Sequence, residues 1–277
     1  MQDIPIYLDP SNIQALLTAR EGPLSLRCNL GLGSVVCRVY EDRVEFETGQ
    51  SVCKDELESI KKAKKVFRVD SSGLHPIEVF SNHYYKLEPT DGAPTFQIDG
   101  IQMHRTKGVD PFIDAKEKVE QVVRQGDIVL DSCGGLGYNA IWSVRRGARL
   151  VISVELAKEV CYLRENNPWS REFFCDKIQA ITGDVFEEVR GFQSGYFNSI
   201  IHDPPRFSLA GELYSREFYR ELYRILKPRG RLFHYTGEPY SVRGKRNFYN
   251  ETSKRLQEVG FSTKIVKGLL GIVAVKQ

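Results

Sequence analysis

A short apolar run followed by three closely spaced glycines is the feature that most constrains this chain. Residues 128–130 predict a buried strand, Asp131 follows, and Gly134, Gly135 and Gly137 form a turn before a helical pattern. Glycine permits dihedrals that a Cβ forbids and lets a ligand approach the main chain closely. The segment therefore predicts a strand–turn–helix unit that binds a nucleoside-like ligand at the carboxyl end of its strand.

Composition excludes several classes of protein. The chain has 277 residues and a formal net charge of +3, which is too small to argue for nucleic-acid binding by itself. No apolar run is long enough for a membrane span, and the first residues lack a signal-peptide pattern. The six cysteines are scattered without a C-x-x-C pair, so we expect no metal site, no disulfide framework and a reducing cytoplasm.

Two patterns divide the chain into predicted domains at 1–108 and 109–277. The first domain alternates short β-branched or aromatic runs at 34–40, 43–47, 65–69, 82–87 and 95–104 with helical stretches at 11–20 and 54–63. Ser11 is a candidate N-cap for the first helix. This part predicts a small α+β domain and carries no recognisable chemistry.

Strands and helices alternate regularly in the second domain. The helices are predicted at 110–124, 138–146, 157–166, 212–226 and 245–259, and the strands at 127–131, 149–155, 177–182, 197–203 and 230–236. Such alternation predicts a doubly wound parallel sheet, the Rossmann-like α/β class. The runs 261–267 and 270–276 leave no room for a helix between them, so we expect an antiparallel last strand.

Acidic residues follow the strands of this predicted sheet at its carboxyl edge. Asp131 ends the first strand, Glu155 the second, Asp184 the third and Asp203 the fourth. A doubly wound sheet binds its ligand at this edge, where a carboxylate after the second strand can accept ribose hydroxyls. The pattern predicts a nucleoside site.

This order of elements resembles the class I S-adenosylmethionine (SAM)-dependent methyltransferases over roughly 110–277. The resemblance implies that the glycine turn faces the methionine part of SAM, Glu155 holds ribose and Asp184 contacts adenine. A nicotinamide dehydrogenase would prefer G-x-G-x-x-G and lack the reversed strand. The whole chain is also similar to a predicted archaeal methyltransferase family. The implied cofactor-binding set is Asp131, Cys133, Gly134, Gly135, Gly137, Tyr138, Glu155, Leu156, Asp184, Val185 and Asp203.

The segment Asp203-Pro204-Pro205-Arg206 points to the acceptor and forms the predicted catalytic set. It resembles the D/N-P-P-Y/F motif of amino-group methyltransferases, in which carbonyls and the acidic side chain accept the hydrogens of an amine. Arg206 replaces the stacking aromatic residue, and guanidinium can also stack on a base. We expect methylation of an amine nitrogen in an RNA base or a nucleotide-like molecule. The alternative is that the prolines only shape the turn.

Other functions stay open at this level. Uracil-C5 methyltransferases also carry D-P-P-R, but they need a downstream cysteine, and none follows Cys175. Residues 213–219 and 226–230 resemble spermidine synthases, which implies aminopropyl transfer to a polyamine. Those enzymes hold the polyamine with paired acids, whereas Asp203 has no acidic neighbour in sequence. A scaffold that binds SAM or RNA without catalysis is the non-enzyme alternative. The sequence does not predict the oligomeric state.

Several further residues allow two interpretations. His202 and His234 lie at predicted strand ends, and we expect structural roles for both. Arg105 and Lys107 are candidates to touch the carboxylate of SAM, or belong to a solvated linker. The last group interleaves charge with aromatic rings, as RNA contacts or a solvated helix start would: Tyr240, Arg243, Lys245, Arg246, Phe248 and Tyr249.

Overall fold

The computed structural model describes residues 4–237 and 248–277. The chain divides into two compact units, one of Met1–Pro111 with Tyr162–Arg171, and one of Phe112–Cys161 with Glu172–Gln277. Among the described residues, no helix has the length and apolar character that crossing a membrane requires.

Three small antiparallel sheets and two short helices build the first unit. The sheet orders are β1-β6-β7, β2-β3-β4-β5 and β11-β10-β9-β8. Its main core is apolar and includes Leu8, Leu16 and Leu57, all fully buried. The elements are β1 Ile6–Leu8, α1 Pro10–Thr18, β2 Gly22–Cys28, β3 Gly33–Val39, β4 Arg43–Phe46, β5 Ser51–Cys53, α2 Lys54–Ile60, β6 Phe67–Asp70, β7 Gly73–Pro76, β8 Glu78–Phe80, β9 Tyr84–Glu88, β10 Thr95–Ile98 and β11 Ile101–Gln102.

Two details of this unit differ from the sequence-based prediction. Asp9, not Ser11, caps α1, because its Oδ1 accepts from the backbone N–H groups of Ser11 (2.7 Å) and Asn12 (2.9 Å). The run 95–104 is not one strand. It folds back at Asp99 and Gly100, which both have positive φ, and forms the hairpin of β10 and β11.

The second unit holds a seven-stranded sheet with helices. Its elements are α3 Pro111–Val122, β12 Ile128–Asp131, α4 Tyr138–Arg145, β13 Leu150–Glu155, α5 Lys158–Glu165, β14 Ile178–Thr182, α6 Val185–Gly191, β15 Phe197–His202, α7 Arg216–Ile225, β16 Leu226–Tyr235, α8 Phe248–Val259, β17 Phe261–Val266 and β18 Gly271–Lys276. Helix α5 crosses the unit boundary, because its residues from Tyr162 onward belong to the first unit.

The order of strands in this sheet is β14-β13-β12-β15-β16-β18-β17. The first five strands in that order are parallel, and β18 pairs antiparallel with both β16 and β17. The predicted Rossmann-like α/β class with a reversed last strand is confirmed. The order changes direction between β12 and β15, which is the switch point of the sheet.

Local signals explain where the helix and strand predictions for this unit failed. Helix α6 was missed because it has only seven residues. The helix predicted at 212–226 is divided, because the Ser215 side chain caps α7 and a 3₁₀ turn precedes it. Strand β16 begins at Leu226, and its pairing with β15 is interrupted at residues 227–230, between the pairs Phe197–Leu226 and Ser199–Arg231. The first residues of the helix predicted at 245–259 lie outside the described residues.

Candidate functional site

The glycine turn after β12 is tied to the strands on both sides. The Ser132 N–H donates to the carbonyl of Ile201 in β15 at 3.0 Å, and the Gly134 N–H donates to that of Val154 in β13 at 2.8 Å. Within the turn, the Gly137 N–H donates to the Gly134 carbonyl at 2.7 Å. These bonds fix the turn at the switch point, between the two strands whose ends carry Glu155 and Asp203.

Two glycines of the turn have the left-handed backbone that favours glycine. The φ angle is +50° at Gly135 and +85° at Gly137, the N-cap of α4. A Cβ on Gly137 would collide with the ring of Phe173. Packing against a phenyl ring is therefore one reason for this glycine, independent of any ligand.

Glu155 holds a fixed position at the end of β13. Its Oε2 accepts from the Gly135 N–H at 2.8 Å, and its Oε1 accepts from the Ala157 N–H at 3.0 Å. Each carboxylate oxygen can accept a second bond, so the group suits a pair of ribose hydroxyls. Next to it, Leu156 is 69% exposed and offers an apolar surface of the kind that an adenine ring covers.

The remaining cofactor candidates have different surroundings. Asp184 is exposed and caps α6 by accepting from the Phe186 N–H at 2.9 Å. Val185 and Tyr138 are buried, at 5% and 2% exposure, and pack in the interior. Asp131 is fully buried and accepts from the Ser153 hydroxyl at 2.8 Å.

The surroundings of Cys133 affect the pKa of its thiol. Burial raises the pKa of its thiol well above the ordinary value, and the Glu155 carboxylate raises it further. A hydrogen bond from Ser132 acts in the opposite direction, and Asp131 and Asp203 add smaller increases. The thiol therefore stays neutral, which makes it a poor nucleophile. Glu155, Asp131 and Asp203 therefore all lie near Cys133, beside the glycine turn.

Asp203 belongs to a buried ion cluster that the sequence analysis did not identify. The Lys118 ammonium of α3 lies 2.7 Å from Asp203 Oδ2 and 2.8 Å from Asp114 Oδ2. It also lies 4.3 Å from the centroid of the Tyr235 ring. Asp203 therefore does have a close acidic neighbour, Asp114, although none is near in sequence.

Asn139 joins this cluster from α4. Its Nδ2 donates to Asp203 Oδ2 at 3.3 Å, and the residue is only 7% exposed. Within residues 4–237 and 248–277, its Oδ1 has no hydrogen-bond partner. The position of Asn139, two residues after Gly137, could have identified it as a candidate site residue. The Asp114–Lys118 pair, at i and i+4 in a predicted helix, was the corresponding signal in α3.

The Pro-Pro segment after β15 is partly anchored in the protein. The Tyr214 hydroxyl donates to the Pro205 carbonyl at 2.9 Å, so this carbonyl already has one donor. Arg206 is exposed, and Phe207 is 48% exposed. The Phe207 ring meets the rings of Tyr214 (5.5 Å between centroids) and Phe248 (5.8 Å). An aromatic surface therefore stands beside the predicted acceptor position, one residue after the place where the motif puts it.

Both strand-end histidines are fully buried and hydrogen-bonded. His202 Nε2 donates to the Leu213 carbonyl at 3.1 Å, and its Nδ1 accepts from the Ser132 hydroxyl at 2.7 Å. Burial lowers the pKa of His202 to about 4, against weaker opposite effects of Leu213 and Asp203. His234 has its own partners in Tyr219 and the Tyr235 carbonyl, and burial, then His202, lower its pKa well below the ordinary range. Neutral, fully bonded rings agree with the structural roles expected for them.

Some predicted residues take no part in this geometry. Arg105 and Lys107 belong to the first unit, and their contact with a cofactor stays a prediction. Tyr240, Arg243, Lys245 and Arg246 lie outside the described residues. Among the described residues, no group of three or more His, Cys, Asp or Glu side chains is arranged to hold a metal ion.

Comparison with known proteins adds to this geometry. No family model matches the chain. An uncharacterised protein of Methanocaldococcus jannaschii is 42% identical over 243 residues, which are 87% of this chain and 81% of that protein. The chain belongs to the family of that archaeal protein. The similarity to an archaeal family, expected from the sequence, is thereby confirmed.

Two further proteins are similar to part of this chain. A spermidine synthase solved with the transition-state analogue AdoDATO has a TM-score of 0.58 and 20% identity, covering 72% of this chain and 73% of that one. This likeness confirms the fold shared by spermidine synthases and class I methyltransferases. A second M. jannaschii protein, provisionally named as a ribosomal RNA large subunit methyltransferase, is 31% identical over 123 residues. That match spans 43% of this chain and 30% of that protein.

Proposed function

We propose that the protein is a SAM-dependent methyltransferase that methylates an amine nitrogen of an RNA base or a nucleotide-like acceptor. One observation carries the proposal. The Gly135 N–H donates a hydrogen bond of 2.8 Å to the Glu155 carboxylate at the switch point. Asp203 lies at the end of β15, the strand that pairs with β12 on the other side of the switch point. A nucleoside cofactor and an acceptor would meet at this edge of the sheet.

The residues around the turn fit SAM chemically. The Glu155 carboxylate is held by two backbone N–H groups and keeps lone pairs for ribose hydroxyls. The exposed Leu156 side chain provides an apolar face for adenine. Buried Asp131 and the acids near Cys133 give the region a negative charge, which suits the positive sulfonium and amino groups of SAM.

SAM supplies an electrophilic methyl group that needs little acid–base assistance. The protein's own contribution is then position and exclusion of water. Lys118 and Asn139 both donate to Asp203 Oδ2, which fixes the orientation of this carboxylate. A carboxylate in that place would orient the amine and accept its proton, directly or through water.

A planar acceptor suits the surface beside Asp203. Phe207 is half exposed and packed edge-on against Tyr214, while Arg206 is exposed next to it. Aromatic and guanidinium planes stack on unpaired bases. The partial similarity to a protein named for ribosomal RNA methylation supports an RNA acceptor. These observations favour a base over an alkylamine.

Aminopropyl transfer is the second candidate, favoured by the fold likeness to spermidine synthase. A polyamine acceptor would need carboxylates for its ammonium groups. Here, Asp203 and Asp114 already hold the Lys118 ammonium. A third hypothesis is a scaffold that binds SAM or RNA without catalysis. The ordered glycine turn and its hydrogen bond with Glu155 give this hypothesis no support.

The distribution of label from methyl-labelled SAM tests the proposal. The purified protein is incubated with cell extract and labelled SAM, and RNA, protein and small molecules are separated and analysed by mass spectrometry. We expect the wild type to transfer label to an RNA base or nucleotide, and the Asp203→Ala variant to transfer none. Label confined to protein, or an aminopropyl group transferred from decarboxylated SAM to putrescine, would contradict it.

A further inference from the structure

The ion cluster beneath the predicted acceptor position contains two carboxylates and a single ammonium. The side chains of Asp114 and Lys118 are 4% and 5% exposed, and that of Asp203 is 16% exposed. Asp114 and Lys118 lie one turn apart on α3, while Asp203 ends β15, 85 residues away from Lys118 in sequence. The fold therefore brings together charges that each would be costly to bury alone.

The Lys118 ammonium makes the contacts that a bound alkylammonium ligand would make. Two of its contacts are carboxylate oxygens, at 2.7 and 2.8 Å, and the face of the Tyr235 ring lies 4.3 Å away. Carboxylates and an aromatic face are the usual partners of an amine cation. Burial alone would lower the pKa of Lys118, but Asp203 and Asp114 outweigh burial and raise it, so the group stays charged.

We propose that Lys118 is the chain's own counter-cation in a carboxylate site, and that it closes this site to alkylammonium acceptors. The acceptor nitrogen that reaches Asp203 is then neutral, as the amino group of a base is. This inference rests on the proposed function, in which Asp203 faces the acceptor. It assigns Lys118 a role in specificity that acts through Asp203.

The immediate surroundings of Asp203 favour a neutral acceptor over a charged one. A second cation would share the Asp203 carboxylate with Lys118 and meet its positive charge at short range. To displace the ammonium, a ligand would have to leave a buried lysine without its counter-ions. The adjacent Asn139 offers a neutral amide group, the type of partner that suits a neutral N–H donor.

Removal of the lysine side chain tests the inference, because Lys118→Ala deletes the atoms of n-propylammonium from a buried site. We expect Lys118→Ala to lose thermal stability and to regain it with added n-propylammonium chloride, by about 4 °C or more in Tm at saturation. The wild type should show no such gain. Lys116→Ala is the matched control, because Lys116 lies on the same helix with a 40% exposed side chain. Sodium chloride at equal concentration controls for ionic strength.

A second variant keeps the test decisive if Lys118→Ala does not fold alone. Asp114→Asn with Lys118→Ala removes one negative charge together with the ammonium, so it should fold better and show a smaller gain with n-propylammonium. Recovery of folded Lys118→Ala when the amine is present during refolding would support the proposal. An equal Tm change in the wild type, or no amine-specific gain in either variant, would overturn it.

This measurement is independent of catalysis, since it needs neither SAM nor an acceptor. A thermal gain specific to Lys118→Ala would support the counter-cation role even if methyl transfer were disproved. In the opposite case, labelled methyl groups in RNA without any amine effect would keep the proposed function and remove Lys118 from specificity. Transfer of methyl label to spermidine by the wild type would contradict the closed site directly.

Discussion

The two units of the chain treat buried polar groups differently. The core of the first unit is built from aliphatic and aromatic side chains with two cysteines. In the second unit, Asp114, Lys118, Asp127 and Asp131 are buried, together with His202 and His234. Among the described residues, every buried carboxylate lies in the second unit. Burying charge is costly without partners, so such groups are concentrated where a fold uses them.

Not all of these buried charges indicate a site. Asp127 lies at the start of β12 and binds Arg231 at 2.7 Å and the Ser199 hydroxyl at 2.6 Å, which joins strands at the amino end. Asp131 and Asp203 lie at the opposite, carboxyl end of adjacent strands. Position along the strand, more than burial, therefore separates structural acids from candidate site acids.

The largest expected effect concerns the glycine turn. We expect Gly135→Val to abolish SAM binding, because a branched side chain would strain a φ of +50° and would enter the predicted place of the methionine part of SAM. The control is Gly100→Val in the first unit, where φ is also positive and a Cβ meets open space. It should leave SAM affinity unchanged in calorimetry. Equal loss in both variants would break the distinction between the units.

The next largest effect is expected at Asp203. Asp203→Ala should lower turnover about a hundredfold or more while SAM affinity stays nearly intact, because positioning of the acceptor is lost. Asp70→Ala is the matched control, since the Asp70 side chain of the first unit is 11% exposed, close to the 16% of Asp203, and binds Arg68 at 2.6 Å. Single-turnover kinetics with labelled SAM measures the turnover of both variants. If Asp203→Ala loses only stability, with full activity per folded molecule, Asp203 is structural.

A smaller effect is expected at Glu155. Glu155→Ala should weaken SAM binding by roughly 1–3 kcal/mol, the scale of lost hydrogen bonds to a charged acceptor. The control is Glu78→Ala in the first unit, where Glu78 binds Lys65. Calorimetry compares the two affinities. An unchanged affinity in Glu155→Ala would remove this residue from the cofactor site.

The smallest effect is a pH dependence of stability. The pKa of His202 is lowered from 6.5 to about 4 in the folded protein, so below pH 6.5 the unfolded chain takes up a proton that the folded one does not. Stability therefore falls as pH drops through this window, by about 1 kcal/mol for each unit. His202→Gln should reduce this loss in urea unfolding between pH 6.5 and 5.5. His75→Gln, at a half-exposed site, should not.

Much of the second unit could be predicted from sequence because its signals are local. Alternation of strands and helices gave the parallel sheet, and the lack of room for a helix between 267 and 270 gave the antiparallel end. Helix α6 was missed because seven residues show little periodicity. The start of β16 at Leu226 was missed because Pro228 and Gly230 are typical of a turn before a strand.

The candidate site was predictable only where its residues follow strands. Glu155 and Asp203 stood out because acids after apolar runs mark the carboxyl edge of a sheet. Lys118 did not, because its partner Asp203 is 85 residues away and an Asp–Lys pair on a helix usually faces solvent. Packing contacts such as that of Gly137 with Phe173 depend on the tertiary fold and leave no trace in spacing.

Calorimetric titration of the wild-type protein with SAM, decarboxylated SAM and NAD tests the central claim most directly. Gly135, Glu155 and Leu156 account for binding of the nucleoside part, which all three molecules share. The proposed function predicts saturable SAM binding that is stronger than binding of either other molecule. Tight binding of NAD without binding of SAM would contradict the account, and preference for decarboxylated SAM would replace methyl transfer by aminopropyl transfer.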